Sequence, residues 1–134
     1  MMPAGKYYVG DLCYCLSNKW DQVCELIIDV NKHEVLEGEF NLPDGTRFAS
    51  LNTKYGDGTY SGSDGIGYAV DSGGIGCVLV DAVTLPDHDG YAIIEFKEPF
   101  KVYEEDGILY FGDLTIDTVG SGEEEYDEDE ESWR

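Results

Sequence analysis

Carboxylates dominate the chemistry open to this chain: its 134 residues include 29 Asp and Glu, eight Lys and Arg, four cysteines and two histidines. General acid–base work needs a titrating group held beside a partner. Neither histidine offers one among its neighbours. His33 follows Asn31-Lys32 in a polar stretch, and His88 stands in a Pro-Asp-His-Asp-Gly turn whose aspartates face solvent. Asp71-Ser72-Gly73 sets a hydroxyl beside a carboxylate, but neighbouring strand residues point to opposite faces and cannot form a nucleophile–acid pair. If the chain builds a ligand or catalytic pocket, Asp11, Asp64 and Asp71 with the tyrosines near them are its material. With so many acids some pair always lies close by chance, so no catalytic residue is assigned and the chain is not read as an enzyme.

Metal and phosphate chemistry are weakly encoded. Cys13, Cys15, Cys24 and Cys77 lack the paired Cys-x2-Cys spacing of a zinc site, no histidine lies near them in sequence, and they read as buried free thiols. Residues 56–76 hold eight glycines, a composition that suggests a phosphate cradle. There is no Gly-Lys-Ser/Thr ending, and Asp57 and Asp64 would repel an anion. The same aspartates with Asp71 are hard oxygen donors suited to calcium, yet their spacing does not fit an EF-hand loop. Turn glycines in a β protein explain the segment, and neither a metal nor a cofactor is expected.

The elements that must position these residues are mostly strands. Lys6–Val9 and Leu12–Leu16 are aromatic and β-branched enough to read as strands broken at Gly10-Asp11. Ser17 reads as an N-cap. After it Trp20, Val23, Cys24, Ile27 and Ile28 recur at three and four, which predicts an amphipathic helix of about ten to thirteen residues ending at Asn31-Lys32. Pro43-Asp44-Gly45 predicts a hairpin joining 34–42 to 46–51. Gly73-Gly74 predicts another between 67–71 and 75–85. Further strand-like runs occupy 91–96, 100–103 and 108–116. Eight or nine short strands and one N-terminal helix make a mainly β domain, a sandwich or a partly open barrel with the helix covering one end.

Composition divides the chain. Residues 1–120 read as the folded domain and 121–134 as an acidic, disordered tail, in which Glu123, Glu124, Glu125, Asp127, Glu128, Asp129, Glu130 and Glu131 are too dense to bury. The tail's eight acids and one Arg carry −7 of the net −21, and the other 21 acids and seven bases leave −14 on the domain. At 42% apolar residues, with ten Tyr and five Phe, the chain has material for a core despite that charge. No run approaches the ~18 apolar residues of a membrane span, and Met1–Tyr8 lacks the apolar centre of a signal peptide, so a cytoplasmic protein is expected. Its negative surface argues against direct binding of nucleic acid or membrane.

The order of motifs adds a resemblance. Tyr8-Val9-Gly10-Asp11-Leu12-Cys13-Tyr14, a helix with Trp20, Asp57-Gly58-Thr59-Tyr60 and then Val70-Asp71-Ser72-Gly73 are similar to the pattern of a family of small, largely uncharacterised phage and bacterial proteins. That pattern opens Gly-Asp-Pro-Cys-Tyr and later has Val-Asp-Ser-Gly; Leu12 stands here in place of the proline. The likeness covers roughly residues 7–85 and implies a compact intracellular β domain of phage origin, with Gly10, Asp11, Asp71 and Gly73 at the motif positions. It implies no activity. In bland terms these four make turns, the Asp side chains capping backbone N–H groups.

Three functions follow as expectations. The first is an interaction protein that imitates nucleic acid and occupies the basic groove of a host defence or DNA-processing protein, with the tail acids at the interface. DNA carries one charge per about 1.7 Å, and a domain of this length spans about 36 Å, the length of about 21 phosphates. The imitation works only if the acids share one face. The second is a β domain with a pocket for a nucleotide or metal, or a catalytic one. The third is an acidic accessory or virion component whose charge only keeps it soluble. Charge self-repulsion disfavours large homo-oligomers, but the oligomeric state stays open.

Overall fold

The computed structural model describes residues 1–29, 31–32 and 34–118. The tail acids Glu123 to Glu131, the 120/121 boundary and His33 lie outside the described residues.

Two five-stranded antiparallel sheets form a sandwich, with a helical layer on the outer face of one of them. Along the chain come β1 (Gly5–Gly10), α1 (Leu12–Cys15), α2 (Trp20–Ile27), β2 (Ile28–Asp29), β3 (Glu34–Val35), β4 (Gly38–Asn41) and β5 (Arg47–Asn52). Then follow β6 (Gly58–Gly62), β7 (Gly67–Val70), β8 (Gly74–Leu79), β9 (Ala92–Phe96), β10 (Val102–Glu105), β11 (Ile108–Phe111) and β12 (Leu114–Asp117). The first sheet has the order β4-β5-β8-β1-β9 and the second β10-β11-β12-β6-β7, while β2 and β3 pair alone. Neither large sheet closes into a barrel.

Strand alternation explains why the first sheet is buried on both faces. Tyr7 and Val9 of β1, Ala49 and Leu51 of β5, and Ile75 and Cys77 of β8 face the second sheet, where Tyr60, Tyr68, Leu109, Phe111 and Ile116 complete the main core. The intervening Tyr8, Phe48 and Val78 point the other way and pack against Leu12, Cys15, Leu16, Val23 and Ile27 of the helical layer. The unbroken apolar run Tyr7-Tyr8-Val9 in β1 is therefore what a middle strand between two layers requires.

Several expectations change. Leu12–Leu16 is not a strand: the Asp11 carboxylate accepts from Cys13 N at 3.0 Å and starts a short helix, so Cys13 and Cys15 do not share a strand face. Ser17 is no N-cap; Ser17–Lys19 is a 3-10 turn without a side-chain cap, and α2 follows it. That helix has eight residues, shorter than expected, because Ile28-Asp29 leaves to pair with Glu34-Val35. The hairpin at Pro43-Asp44-Gly45 forms, with Asn41 opposite Arg47. The one at Gly73-Gly74 does not. β7 pairs with β6 and β8 with β1 and β5, so Asp71–Gly73 crosses between the sheets. The glycine-rich middle contains the β6–β7 hairpin, and the run 108–116 is cut by Gly112 at φ 63° into β11 and β12. Twelve strands replace the expected eight or nine, two of them only two residues long.

Candidate functional site

Of the residues singled out by the sequence, Asp11, Asp71 and Ser72 meet at one point. Asp11 ends β1 in the first sheet and is 1% exposed. Its Oδ2 accepts from the backbone N–H groups of Asp71 and Ser72, both at 2.7 Å; Oδ1 accepts from Ser72 Oγ at 2.7 Å and from Cys13 N. One carboxylate thus caps α1 and holds the crossover from the second sheet to the first. Tyr8 Oη donates to the Asp11 carbonyl at 2.7 Å and closes the corner. Gly73, at φ 89°, makes the turn that an L side chain resists.

This arrangement is structural in its chemistry. Three backbone N–H groups and the Ser72 hydroxyl engage both oxygens of the carboxylate, so it is occupied in holding the fold. Asp71 contributes its N–H, and Ser72 reaches across sixty residues to Asp11 and does not pair with its neighbour. Burial, followed by the hydrogen bond and charge of Asp11, pushes the Cys13 thiol up to about 12, far from a reactive thiolate. Asp64 lies elsewhere, in the β6–β7 turn, where it accepts from Ile66 N and from Tyr68 Oη at 2.7 Å. His88 packs edge-on against Tyr14 at 4.6 Å, and its Nδ1–H donates to the Asp89 carbonyl. All four cysteines are free thiols, and among the described residues no group of three or more His, Cys, Asp or Glu is placed to hold a metal ion.

The other feature is the distribution of charge. Register places the ends of β1, β5, β7, β10 and β12 together with the starts of β4, β6, β8, β9 and β11 at one end of the sandwich. The Asp11 crossover and the bond from Lys54 N to Thr118 Oγ tie the two sheets together there. Asp57, Asp71, Glu104, Glu105, Asp106 and Asp117 stand on its strand ends and turns. Glu37 joins them through Asn52 N, Asp29 and Glu34 through the β2–β3 ribbon that Asn52 also holds, and Asp87 and Asp89 through His88. With buried Asp11 that is twelve acids against Lys32 and Lys54.

The opposite end is nearly balanced. Lys6, Lys19, Arg47, Lys97 and Lys101 stand there against seven acids. Lys19 pairs with Asp44, and Glu39 bridges Arg47 and the Met1 ammonium. The ammonium's hydrogen bond, with help from Arg47, holds the Glu39 carboxyl below the ordinary carboxylate range. Asp21 and Glu25 on α2 account for the rest of the −14. Sequence spacing could not reveal this division, because the acids of the negative end come from separate segments brought together by strand register and tertiary contacts.

Comparisons with protein-family models, curated proteins and solved structures find no match to this chain. Among the described residues no helix is long and apolar enough to cross a membrane.

Proposed function

We propose that this is an acidic interaction protein that enters the basic nucleic-acid-binding groove of a host protein, acting as a nucleic-acid mimic. The observation that carries the reading is the gathering of twelve acids and two bases at one end of the sandwich. Thr118, the last described residue, is at that end, tied to Lys54 N and to Gly107. The eight acids from Glu123 to Glu131 follow Thr118 in the sequence and add to the negative charge of the chain. A surface of this kind steers a basic partner into fast, salt-sensitive association. The host setting rests on the motif resemblance.

Matched charge reversals test the reading. Asp57→Lys, Asp89→Lys and Glu105→Lys act at the negative end, and Asp81→Lys, Glu98→Lys and Asp113→Lys change net charge equally at the other. A partner captured from host lysate at about 50 mM salt should be released at about 500 mM and displaced by duplex DNA. The first triple variant should weaken its binding by tenfold or more, and the second should change it less than threefold. Binding that ignores salt, duplex competitor and the end reversed would overturn the reading.

A further inference from the structure

A cavity of about 270 Å³ lies between α2 and the outer face of the first sheet. Leu12, Trp20, Cys24, Ile27, Ile28 and Val35 supply its carbon surface, and Ser50, Asn52 and Ser72 its polar atoms. Ile28 and Val35, opposite each other in the β2–β3 ribbon, are 41% and 45% exposed and form an apolar rim.

Ser50 sets this cavity apart. Four polar side chains are buried among the described residues, and Asp11, Thr53 and Thr118 all make hydrogen bonds. Ser50, only 7% exposed, has no side-chain hydrogen bond among the described residues, and its alternation with Ala49 and Leu51 turns it to the helix side, into the cavity. A buried hydroxyl without a partner is costly and rare enough to need a cause. The cavity opens to solvent past the Ile28–Val35 rim, so a molecule entering there can reach the hydroxyl. Of the other two polar residues, Ser72 Oγ is committed to Asp11, and Asn52 Nδ2 donates to the Val35 carbonyl at 2.9 Å. Gly74 lies beside the hydroxyl: a Cβ there would stand in ordinary contact with Ser50 Oγ at 3.7 Å, although 2.9 Å from the Leu51 carbonyl oxygen.

We propose that this cavity binds a small, uncharged, largely apolar ligand the size of a bicyclic aromatic ring, with a hydrogen-bonding atom placed at Ser50 Oγ. The size follows from the volume, since a cavity of about 150 Å³ already accepts benzene. The absence of charge follows from the lining, which holds no Lys, Arg, Asp or Glu and would strip an ion of water without compensation. An aromatic ring suits a largely carbon lining that includes the Trp20 indole.

Indole and indene are suitable probes, alike in shape and differing in the N–H. Titrated into the isotope-labelled full chain, indole should shift the Trp20, Ile27 and Ser50 resonances saturably at submillimolar concentration, and indene should bind about fivefold more weakly. Ser50→Ala should bring indole to the level of indene and leave indene unchanged. Cys24→Met, which fills the cavity from α2 and does not touch Ser50, should abolish binding of both. The site is overturned if no saturable shift appears up to about 5 mM, if the shifts map elsewhere, or if Cys24→Met binds as the parent does. An indole-to-indene ratio unchanged by Ser50→Ala overturns the role of the hydroxyl.

Discussion

Asp11 shows how much one side chain can organise. Its carboxylate ends β1, starts α1 and fastens the crossover at Asp71-Ser72, and both its oxygens are fully engaged. Asp11→Asn keeps the shape but in either amide orientation turns an NH2 group toward at least one backbone N–H donor, and should destabilise the fold by about 3 kcal/mol. Ser72→Ala removes one bond of the four and should cost about 1 kcal/mol. Urea unfolding at neutral pH measures both; equal losses would mean that the backbone donors contribute little. Each partner was visible in the sequence as a motif position, but their contact was not. The period-two rule that set Ser72 aside holds for strands, and Ser72 lies on a turn.

At the scale of elements, β8 is the strand with least freedom. It lies between β5 and β1, with the main core on one face and Leu12 close on the other. A Cβ at Gly76 would come within 2.2 Å of the Ala49 carbonyl oxygen and 2.7 Å of Leu12 Cδ1. Gly76→Ala therefore has to part β8 from β5 or expel Leu12, and should cost about 3 kcal/mol or more. Gly67→Ala, whose Cβ meets only the Thr59 methyl at 3.2 Å, should cost under about 1 kcal/mol. Thermal melts of the two variants check the contrast, and similar midpoints would show that β8 yields. The Pro43-Asp44-Gly45 hairpin was legible because turn chemistry and pairing coincide within a few residues. The Gly73-Gly74 turn carries the same chemistry, but its flanking strands take partners far away in the chain, and no local pattern reports which.

For the whole molecule the governing quantity is uneven charge. Twelve acids crowded at one end repel one another in the folded state more than in the extended chain. Salt weakens that repulsion, because the Debye length falls from about 30 Å at 10 mM to about 3 Å at 1 M. Sodium chloride over that range should raise the melting temperature by roughly 5–10 °C, as a gain of about 1–2 kcal/mol would for a domain of this size. A flat or falling midpoint would mean that the acids are too well solvated to strain the fold. The three-lysine variants permit the same measurement, with the larger gain expected from substitutions at the negative end.

By itself the sequence determined the amount of charge, the mainly β character, the α2 apolar face and the turn at Pro43–Gly45. These properties depend on residue type and on neighbours a few positions apart, the range over which chain geometry correlates side chains. Only the tertiary structure decided that Asp11 grips Asp71-Ser72, that the glycine-rich middle is a hairpin of the second sheet, and that Ser50 faces a cavity under α2. It also decided that twelve of the acids gather at one end with only two bases. Each of these comes from pairing distant segments, which burial of apolar surface from the whole chain selects, and nothing in any one segment encodes its partner.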